Sequence, residues 1–165
     1  MPEHNGPPGT RQGRSRHELT PPEHNTADLL GRAWSRLGHQ IVAGVIAAGY
    51  PQRPAHSGVF AHIDLDGTRL TDLASRANMT PQAMGELVDD LERLGYVRRV
   101  PDPTDRRAKL IVPTEIGYGC LQAAFDTIGG IERRLEGLIG PRKLAELGRV
   151  LARIIAAEPP TNPAA

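Results

Sequence analysis

The stretch that decides the fold is Gly95-Tyr96-Val97-Arg98-Arg99-Val100-Pro101-Asp102-Pro103-Thr104-Asp105-Arg106-Arg107-Ala108-Lys109-Leu110-Ile111-Val112. Two short runs rich in β-branched residues flank a segment of Pro, Asp and Thr, which is the pattern of two strands joined by a tight turn. Between positions 93 and 109 there are six basic residues and two acidic ones, although the 165-residue chain has a net charge of only +1. The pattern predicts a basic β-hairpin.

The segment before this hairpin has the pattern of two short helices joined by a turn. It reads Leu70-Thr71-Asp72-Leu73-Ala74-Ser75-Arg76-Ala77-Asn78-Met79-Thr80-Pro81-Gln82-Ala83-Met84. The first helix is predicted from about Leu70 to Ala77. The second begins after Thr80, a good N-cap residue, and ends at Gly95. A helix-turn-helix followed by a basic hairpin predicts a winged helix that binds DNA.

Helices are predicted on both sides of this unit. Apolar residues at helical spacing predict a first helix capped by Thr26 and ended by Gly49, and a shorter one from Pro54 to Ile63. After the hairpin, Thr114 caps a long amphipathic segment with a candidate kink at its central Gly-Gly pair, and Pro141 opens a last helix. The predicted fold class is mainly α with a small β-hairpin wing, dimerised through the N- and C-terminal helices.

Composition predicts where this fold begins and ends along the chain. Residues 1–25 are rich in Pro and Gly and poor in apolar side chains, so we predict a disordered tail there and a second one over 159–165. The folded domain spans 26–158. Within it, 26–53 and 114–158 are predicted to dimerise, and 54–113 to form the winged helix-turn-helix.

Several function classes find no support in the sequence. The single cysteine excludes an intramolecular disulfide and suits a reducing compartment. The longest apolar run, residues 41–50, is too short to cross a bilayer, and no signal peptide is recognisable. No nucleophile elbow, P-loop or dinucleotide-binding motif is present, so we expect a cytoplasmic protein that is neither an enzyme nor dependent on a cofactor or metal.

The chain resembles the MarR family of bacterial transcription regulators. The residues that carry the resemblance are Leu70–Ala74, Met79–Met84, Leu87–Val97, the wing Asp102-Pro103-Thr104-Asp105-Arg106-Arg107, and Val112–Gly117. The wing after Leu-x-x-x-Gly-Tyr-Val is the specific part. The resemblance implies a winged-helix homodimer that represses transcription until a small ligand releases it.

The start of the second helix of the helix-turn-helix is expected to read base edges in the major groove, as recognition helices do. The candidate residues are Thr80, Pro81, Gln82, Ala83 and Glu86. Gln82 can pair with adenine, Ala83 can touch a thymine methyl group, and Glu86 can accept a hydrogen bond from cytosine. However, residues 81–95 carry a net charge of −3, so affinity is expected to come mainly from the wing.

The wing is expected to grip the DNA backbone. Arg106, at the hairpin tip, is placed to enter the minor groove, while Arg98, Arg99 and Lys109 can follow phosphates. Asp105 is expected to hold the turn.

The family resemblance further implies an ion pair between Asp89 and Arg107 that ties the wing to the helix before it. The alternative for the whole wing is that its charged residues are simply exposed to solvent and do not contact DNA.

The resemblance implies a ligand pocket that lies between the dimer helices and the winged head. Its candidate residues here are Trp34, His39, His56 and His62, with core packing as the alternative for each. His56 and His62 are also weighed as metal ligands, but no further residues stand at ligand spacing. Cys120 lies on an apolar stripe and is expected in the core.

Two other functions remain open at this point. The acidic helix could face a basic protein partner, which would make the chain a winged-helix interaction module without specific DNA binding. The helical body could also carry a small molecule. The favoured partners are a pseudo-palindromic DNA duplex, a second copy of the chain and a small-molecule effector, with no membrane.

Overall fold

The computed structural model describes residues 25–105 and 107–157. The described residues form six α-helices, namely α1 (Thr26–Ala47), α2 (Ser57–Phe60), α3 (Leu70–Arg76), α4 (Pro81–Arg93), α5 (Glu115–Ile139) and α6 (Pro141–Ala157). They also form three strands, namely β1 (Thr68–Arg69), β2 (Val97–Pro101) and β3 (Lys109–Pro113). The predicted tails lie outside the described residues, apart from Asn25.

The predicted mainly α fold with a winged helix-turn-helix is confirmed, with one strand more than expected, and dimerisation through the terminal helices stays a prediction. The predicted hairpin is present as β2 paired antiparallel with β3, with Arg99 opposite Ile111. The additional strand, β1, pairs with the other edge of β3, so that the sheet order is β1-β3-β2. Two residues are too few to produce an alternating pattern that a sequence reading could detect.

Local capping explains where the helix-turn-helix begins and turns. Thr80 caps α4, because its Oγ1 accepts a hydrogen bond from the Ala83 amide at 3.2 Å, and Pro81 occupies the first helical position. Asn78, with a φ of 52°, makes the left-handed step between α3 and α4.

Three details of the helices differ from the prediction. Asn25 rather than Thr26 caps α1, since its Oδ1 accepts from the Asp28 amide at 3.0 Å. The predicted helix from Pro54 to Ile63 is instead a 3₁₀ turn, Pro54–His56, followed by the single turn of α2. The Gly-Gly pair at 129–130 does not interrupt α5, which is one unbroken helix of 25 residues.

By its internal contacts the chain divides within α1, into residues up to Trp34 and residues from Ser35 onward. The larger unit has a continuous core beneath the helix-turn-helix and the sheet. Its large, fully buried apolar side chains are Val45, Val59, Leu73, Met84, Val88, Leu91, Val97, Ile111 and Cys120. Burying an aliphatic side chain of this size contributes about 1.5–3 kcal/mol, so this core holds α3, α4 and the sheet together.

The smaller unit contributes the start of α1, whose Leu29, Leu30 and Trp34 are exposed. Within the described residues, no helix is both long enough and apolar enough to span a membrane.

Candidate nucleic-acid interface

The first two turns of α4 present small and polar side chains to solvent. Pro81, Gln82 and Glu86 are exposed, and Ala83 is half-buried. The opposite face of the same helix carries Met84, Leu87, Val88 and Leu91, all of them buried. The helix is therefore anchored along its length, while its N-terminal turn remains free to contact a ligand.

The acidic residues of α4 near the sheet are neutralised by arginines. Arg99 on β2 donates to Asp89 at 2.6 Å and forms a second ion pair with Glu92. The Arg99 amide also donates to the Glu92 carboxylate at 3.0 Å. Three contacts on two residues thus fasten β2 to the C-terminal half of α4.

Asp90, on the other side of α4, is also paired. Its carboxylate forms ion pairs with Arg53 and Arg93, and the Nε2 atom of His56 lies 3.6 Å from it. Among the described residues Glu86 is then the one acid of α4 that makes no ion pair. The net charge of −3 read from the sequence does not describe the field that this helix presents.

The ion pair predicted between Asp89 and Arg107 is replaced by the pair between Asp89 and Arg99. Arg99 belongs to the strand that runs back beside α4, whereas Arg107 lies in the wing turn, where its side chain is exposed and makes no ion pair with any described residue. The Arg107 amide instead donates to Asp105 Oδ1 at 3.0 Å, which stabilises the turn. The positive charge of Arg107 is therefore available in the wing turn.

The two arginines predicted to follow phosphates, Arg98 and Arg99, do not lie on the same face of the sheet. Arg98 and Arg99 are adjacent on β2, so they point to opposite faces of the sheet, and Arg99 is bound to α4. Arg98 and Lys109 are exposed. Arg106 lies outside the described residues.

A brace at the base of the wing was not predicted from the sequence. Arg69 on β1 donates to Asp102 with Nε at 2.7 Å and pairs with it through Nη2 at 2.6 Å. The amide and the hydroxyl of Thr104 each donate to the other Asp102 oxygen at 2.7 Å. These hydrogen bonds from Thr104 and Arg69 lower the pKa of Asp102 to about 2. The sequence carries no signal for this contact, since Arg69 and Asp102 are 33 positions apart.

The four residues expected in a ligand pocket have separate surroundings. Trp34 is 74% exposed, and the ring of His39 bonds the Ser35 carbonyl of its own helix at 2.7 Å. His56 is buried, and its Nδ1 accepts from the Arg53 amide at 3.2 Å. Burial and the charge of Arg53 lower the pKa of His56. His62 is half-buried.

Two cavities of the larger unit lie elsewhere. One of about 590 Å³ is lined by residues of α1 and α5, and another of about 520 Å³ is lined by Ala48, Tyr50 and residues of α5, with none of the four predicted residues in either. Across 25–105 and 107–157, no three His, Cys, Asp or Glu side chains are grouped so as to hold a metal ion.

Comparison with known proteins agrees with the winged helix-turn-helix described above. Residues 53–108 match the model of the MarR family. A comparison with curated proteins found no significant sequence match.

Among solved structures, the chain is similar to the transcriptional repressor CouR bound to a 23-mer DNA duplex. The two are 26% identical with a TM-score of 0.66, over 79% of this chain and 92% of CouR. CouR from Rhodococcus jostii RHA1 bound to p-coumaroyl-CoA matches at 26% identity and a TM-score of 0.65, over 81% and 92% of the two chains.

The MepR–DNA complex from S. aureus has the same fold at 18% identity, with a TM-score of 0.65 over 82% of this chain and 100% of MepR. The family model covers the helix-turn-helix and the wing, and the structural matches extend the likeness over about four-fifths of the chain. Together they show that residues 53–108 match the MarR family model and that the chain is similar in fold to winged-helix transcription regulators of that family.

Proposed function

We propose that the protein is a homodimeric, sequence-specific DNA-binding transcription regulator that acts in the cytoplasm as a repressor and is released by a small-molecule ligand. The observation that carries the proposal is the surface formed by α4 and the wing. The first turn of α4 is open to solvent, the acids of its C-terminal half are paired with arginines, and the exposed wing cations Arg98, Arg107 and Lys109 make no ion pair within residues 25–105 and 107–157.

In this proposal α4 reads bases in the major groove. Its first two turns offer Gln82 to adenine, the Ala83 methyl group to thymine and Glu86 to cytosine, while Thr80 and Pro81 at the helix start lie near the DNA backbone. Each good base contact is worth about 1–3 kcal/mol of discrimination. Glu86 acts as a specificity residue, because an unpaired carboxylate accepts from cytosine and is repelled by the acceptors of guanine.

The wing supplies affinity that depends little on sequence. Arg107 is exposed in the wing turn and Arg106 precedes it in the sequence, so that either arginine can serve the minor groove, and Arg98 and Lys109 are exposed on the strands. Arg99 does not belong to this set, because its guanidinium is shared between Asp89 and Glu92. Its role is to hold β2 against α4, so that wing and helix approach the duplex as one unit.

The second copy of the chain is proposed from the terminal helices, 26–53 and 114–158. No described residue of α6 is buried, and Leu147, Val150, Ile154 and Ile155 on it are each more than a third exposed. A second copy would cover this surface. A two-fold dimer would read half-sites about one helical turn, roughly 10 base pairs, apart. The similar repressor CouR is bound to a DNA duplex, which supports binding of DNA by this chain.

The test is a fluorescence-anisotropy titration with a labelled duplex from the region upstream of the gene, repeated over a range of salt concentrations. We expect affinity to fall with salt, and Arg107→Ala and Arg106→Ala each to reduce the slope of log K against log salt by about 0.9 for every phosphate that the variant no longer neutralises. Arg133→Ala, an exposed arginine on α5, is the matched control and should leave the slope unchanged.

A second measurement separates the recognition of base sequence from the affinity for the DNA backbone. Glu86→Gln should alter the preferred sequence in a randomised-site selection without changing the salt slope. Binding that does not depend on salt, with no preferred sequence, would overturn the proposal and favour the winged-helix protein-interaction module.

A further inference from the structure

A buried histidine joins the segment before α2 to the side of α4. His56, the last residue of the 3₁₀ turn Pro54–His56, is 1% exposed. The amide nitrogen of Arg53 lies 3.2 Å from its Nδ1 atom, and the Arg53 Nε atom lies 3.4 Å from its Nε2 atom. The same Nε2 atom is 3.6 Å from Asp90 Oδ2. The ring therefore contacts both the residue that begins the turn and a carboxylate of α4.

Both nitrogens of this ring face N–H donors of Arg53. A neutral imidazole carries one N–H group and one acceptor nitrogen, whereas a protonated imidazole carries two N–H groups and no acceptor. Whichever nitrogen holds the proton in the neutral ring, the other can accept a hydrogen bond from Arg53. In the protonated ring each N–H group would be set against an N–H group of Arg53. The contact between His56 and Arg53 thus requires the neutral ring.

The charges around the ring also oppose its protonation. Among the described residues, Asp90 is the one carboxylate within ion-pair distance of His56. This carboxylate is already paired with Arg53 and Arg93, so a protonated ring would add a third cation to a single anion in a place closed to solvent. No other charged side chain in the described part of the chain forms a hydrogen bond or an ion pair with the ring. Burial and the charge of Arg53 accordingly lower the pKa of His56.

We propose that His56 is a pH-sensitive positioning residue for α4: its neutral ring keeps Arg53 on Asp90, and its protonation releases the 3₁₀ turn and α2 from α4. Loss of this polar contact would leave apolar packing, including that of the fully buried Val59 of α2, to hold the segment against α4. Because α4 reads bases in the proposed function, acidification would then weaken DNA binding. This effect on DNA rests on the proposed function, whereas the pH-dependent attachment of α4 does not.

The direction of the pH dependence follows from the lowered pKa of His56. Its ordinary value of 6.5 applies to the unfolded chain, which therefore takes up the proton at a higher pH than the folded protein does. The stability that the neutral ring provides is present above pH 6.5 and is lost as pH falls from 6.5 toward the lower pKa of the folded protein.

Urea unfolding of the full-length protein without DNA, from about pH 8 to about pH 5, tests the attachment. We expect the urea midpoint of the parent protein to fall below pH 6.5. His56→Asn should fall less, because its amide oxygen can replace the acceptor Nδ1 and does not titrate. His62→Asn is the matched control, since the His62 ring makes no hydrogen bond or ion pair with any described residue, and it should keep the profile of the parent protein. Equal profiles for the parent protein and His56→Asn would overturn the proposal.

An NMR titration of the His56 imidazole gives a second measurement, which does not depend on the folding of His56→Asn. We expect its pKa below 6.5 in the parent protein, and a higher pKa in Arg53→Gln, because this change removes a positive charge beside the ring. Arg98→Gln, a change at an exposed arginine on β2, should leave the pKa of His56 unaltered. A pKa at or above 6.5, or one that Arg53→Gln does not raise, would overturn the proposal.

The effect on DNA is measured separately, by fluorescence anisotropy with the upstream duplex at constant salt, at about pH 7.5 and about pH 5.8. We expect the loss of affinity on acidification to be at least threefold larger in the parent protein than in His56→Asn. Equal losses in the two proteins would overturn the role of His56 in DNA binding. A protein that binds no DNA at either pH but shows the expected urea profiles would overturn the proposed function and leave the pH-dependent attachment of α4 standing.

Discussion

Replacing Gly117 by alanine should loosen the junction between α5 and the wing. Gly117 is buried in the first turn of α5, directly against the backbone carbonyl of Tyr96. A Cβ atom at this position would lie 2.0 Å from that oxygen, and contacts below 3.0 Å are essentially never seen. The helix would have to move by about 1 Å or more to reach that separation.

The Tyr96 carbonyl cannot easily give way, because it is already held on this side. It accepts the Thr114 amide at 3.0 Å, while the Thr114 hydroxyl donates to the neighbouring Gly95 carbonyl at 2.6 Å and accepts the Gly117 amide at 3.1 Å. Overpacking a tight site costs about 1–3 kcal/mol, and each disrupted hydrogen bond adds about 1 kcal/mol. The better helix propensity of alanine offsets about 1 kcal/mol, so we expect a net loss of about 2 kcal/mol.

Thermal unfolding followed by circular dichroism at a fixed protein concentration measures this effect. For a chain of this length a loss of about 2 kcal/mol lowers Tm by about 4–8 °C. Gly137→Ala is the matched control on the same helix, since no atom lies within 4 Å of its Cβ position, and it should leave Tm unchanged or raise it slightly. A Gly117→Ala protein that melts at or above the temperature of Gly137→Ala would refute the described contact between α5 and the wing.

Three further predictions concern single groups. The pKa of Asp102 is lower in the folded protein than its ordinary value of 3.8, so the stability that Asp102 contributes is present above about pH 4 and is lost as pH falls toward about 2. Urea midpoints measured over this pH range should fall less steeply in Asp102→Asn than in the parent protein. An equally steep fall in both proteins would contradict the role of the Arg69–Asp102 ion pair. Thr80→Ala should cost about 1 kcal/mol by removing the α4 cap, with Thr80→Ser close to the parent protein, and equal urea midpoints for all three would contradict the capping role. Burial raises the pKa of the Cys120 thiol to about 11, so a disulfide reagent should label it only after unfolding in guanidinium, and rapid labelling of the native protein would disprove its burial.

The different environments of Arg98 and Arg99 are partly predictable from the sequence. The alternation of side chains along a strand already separates Arg98 from Arg99, and it shows that one of them must face whatever packs on the sheet. The sequence cannot say which one, because that depends on where α4 lies.

The elements determined by the sequence alone are those with local causes. The α4 helix starts where Thr80 and Pro81 permit, and α5 starts at the Thr114 cap, because a cap bonds to amides only a few residues away. The basic hairpin follows from the composition of the short stretch between Gly95 and Val112.

Only the tertiary structure decided how the charges are shared. The two-residue strand β1, the Arg69–Asp102 brace and the pairing of Asp89 with Arg99 each join residues that are brought together by packing of the core. An arginine can reach any of several carboxylates, so its partner is set by the register of the sheet and the position of α4. For that reason a helix whose sequence is acidic can present a largely neutralised surface beside an exposed cationic wing.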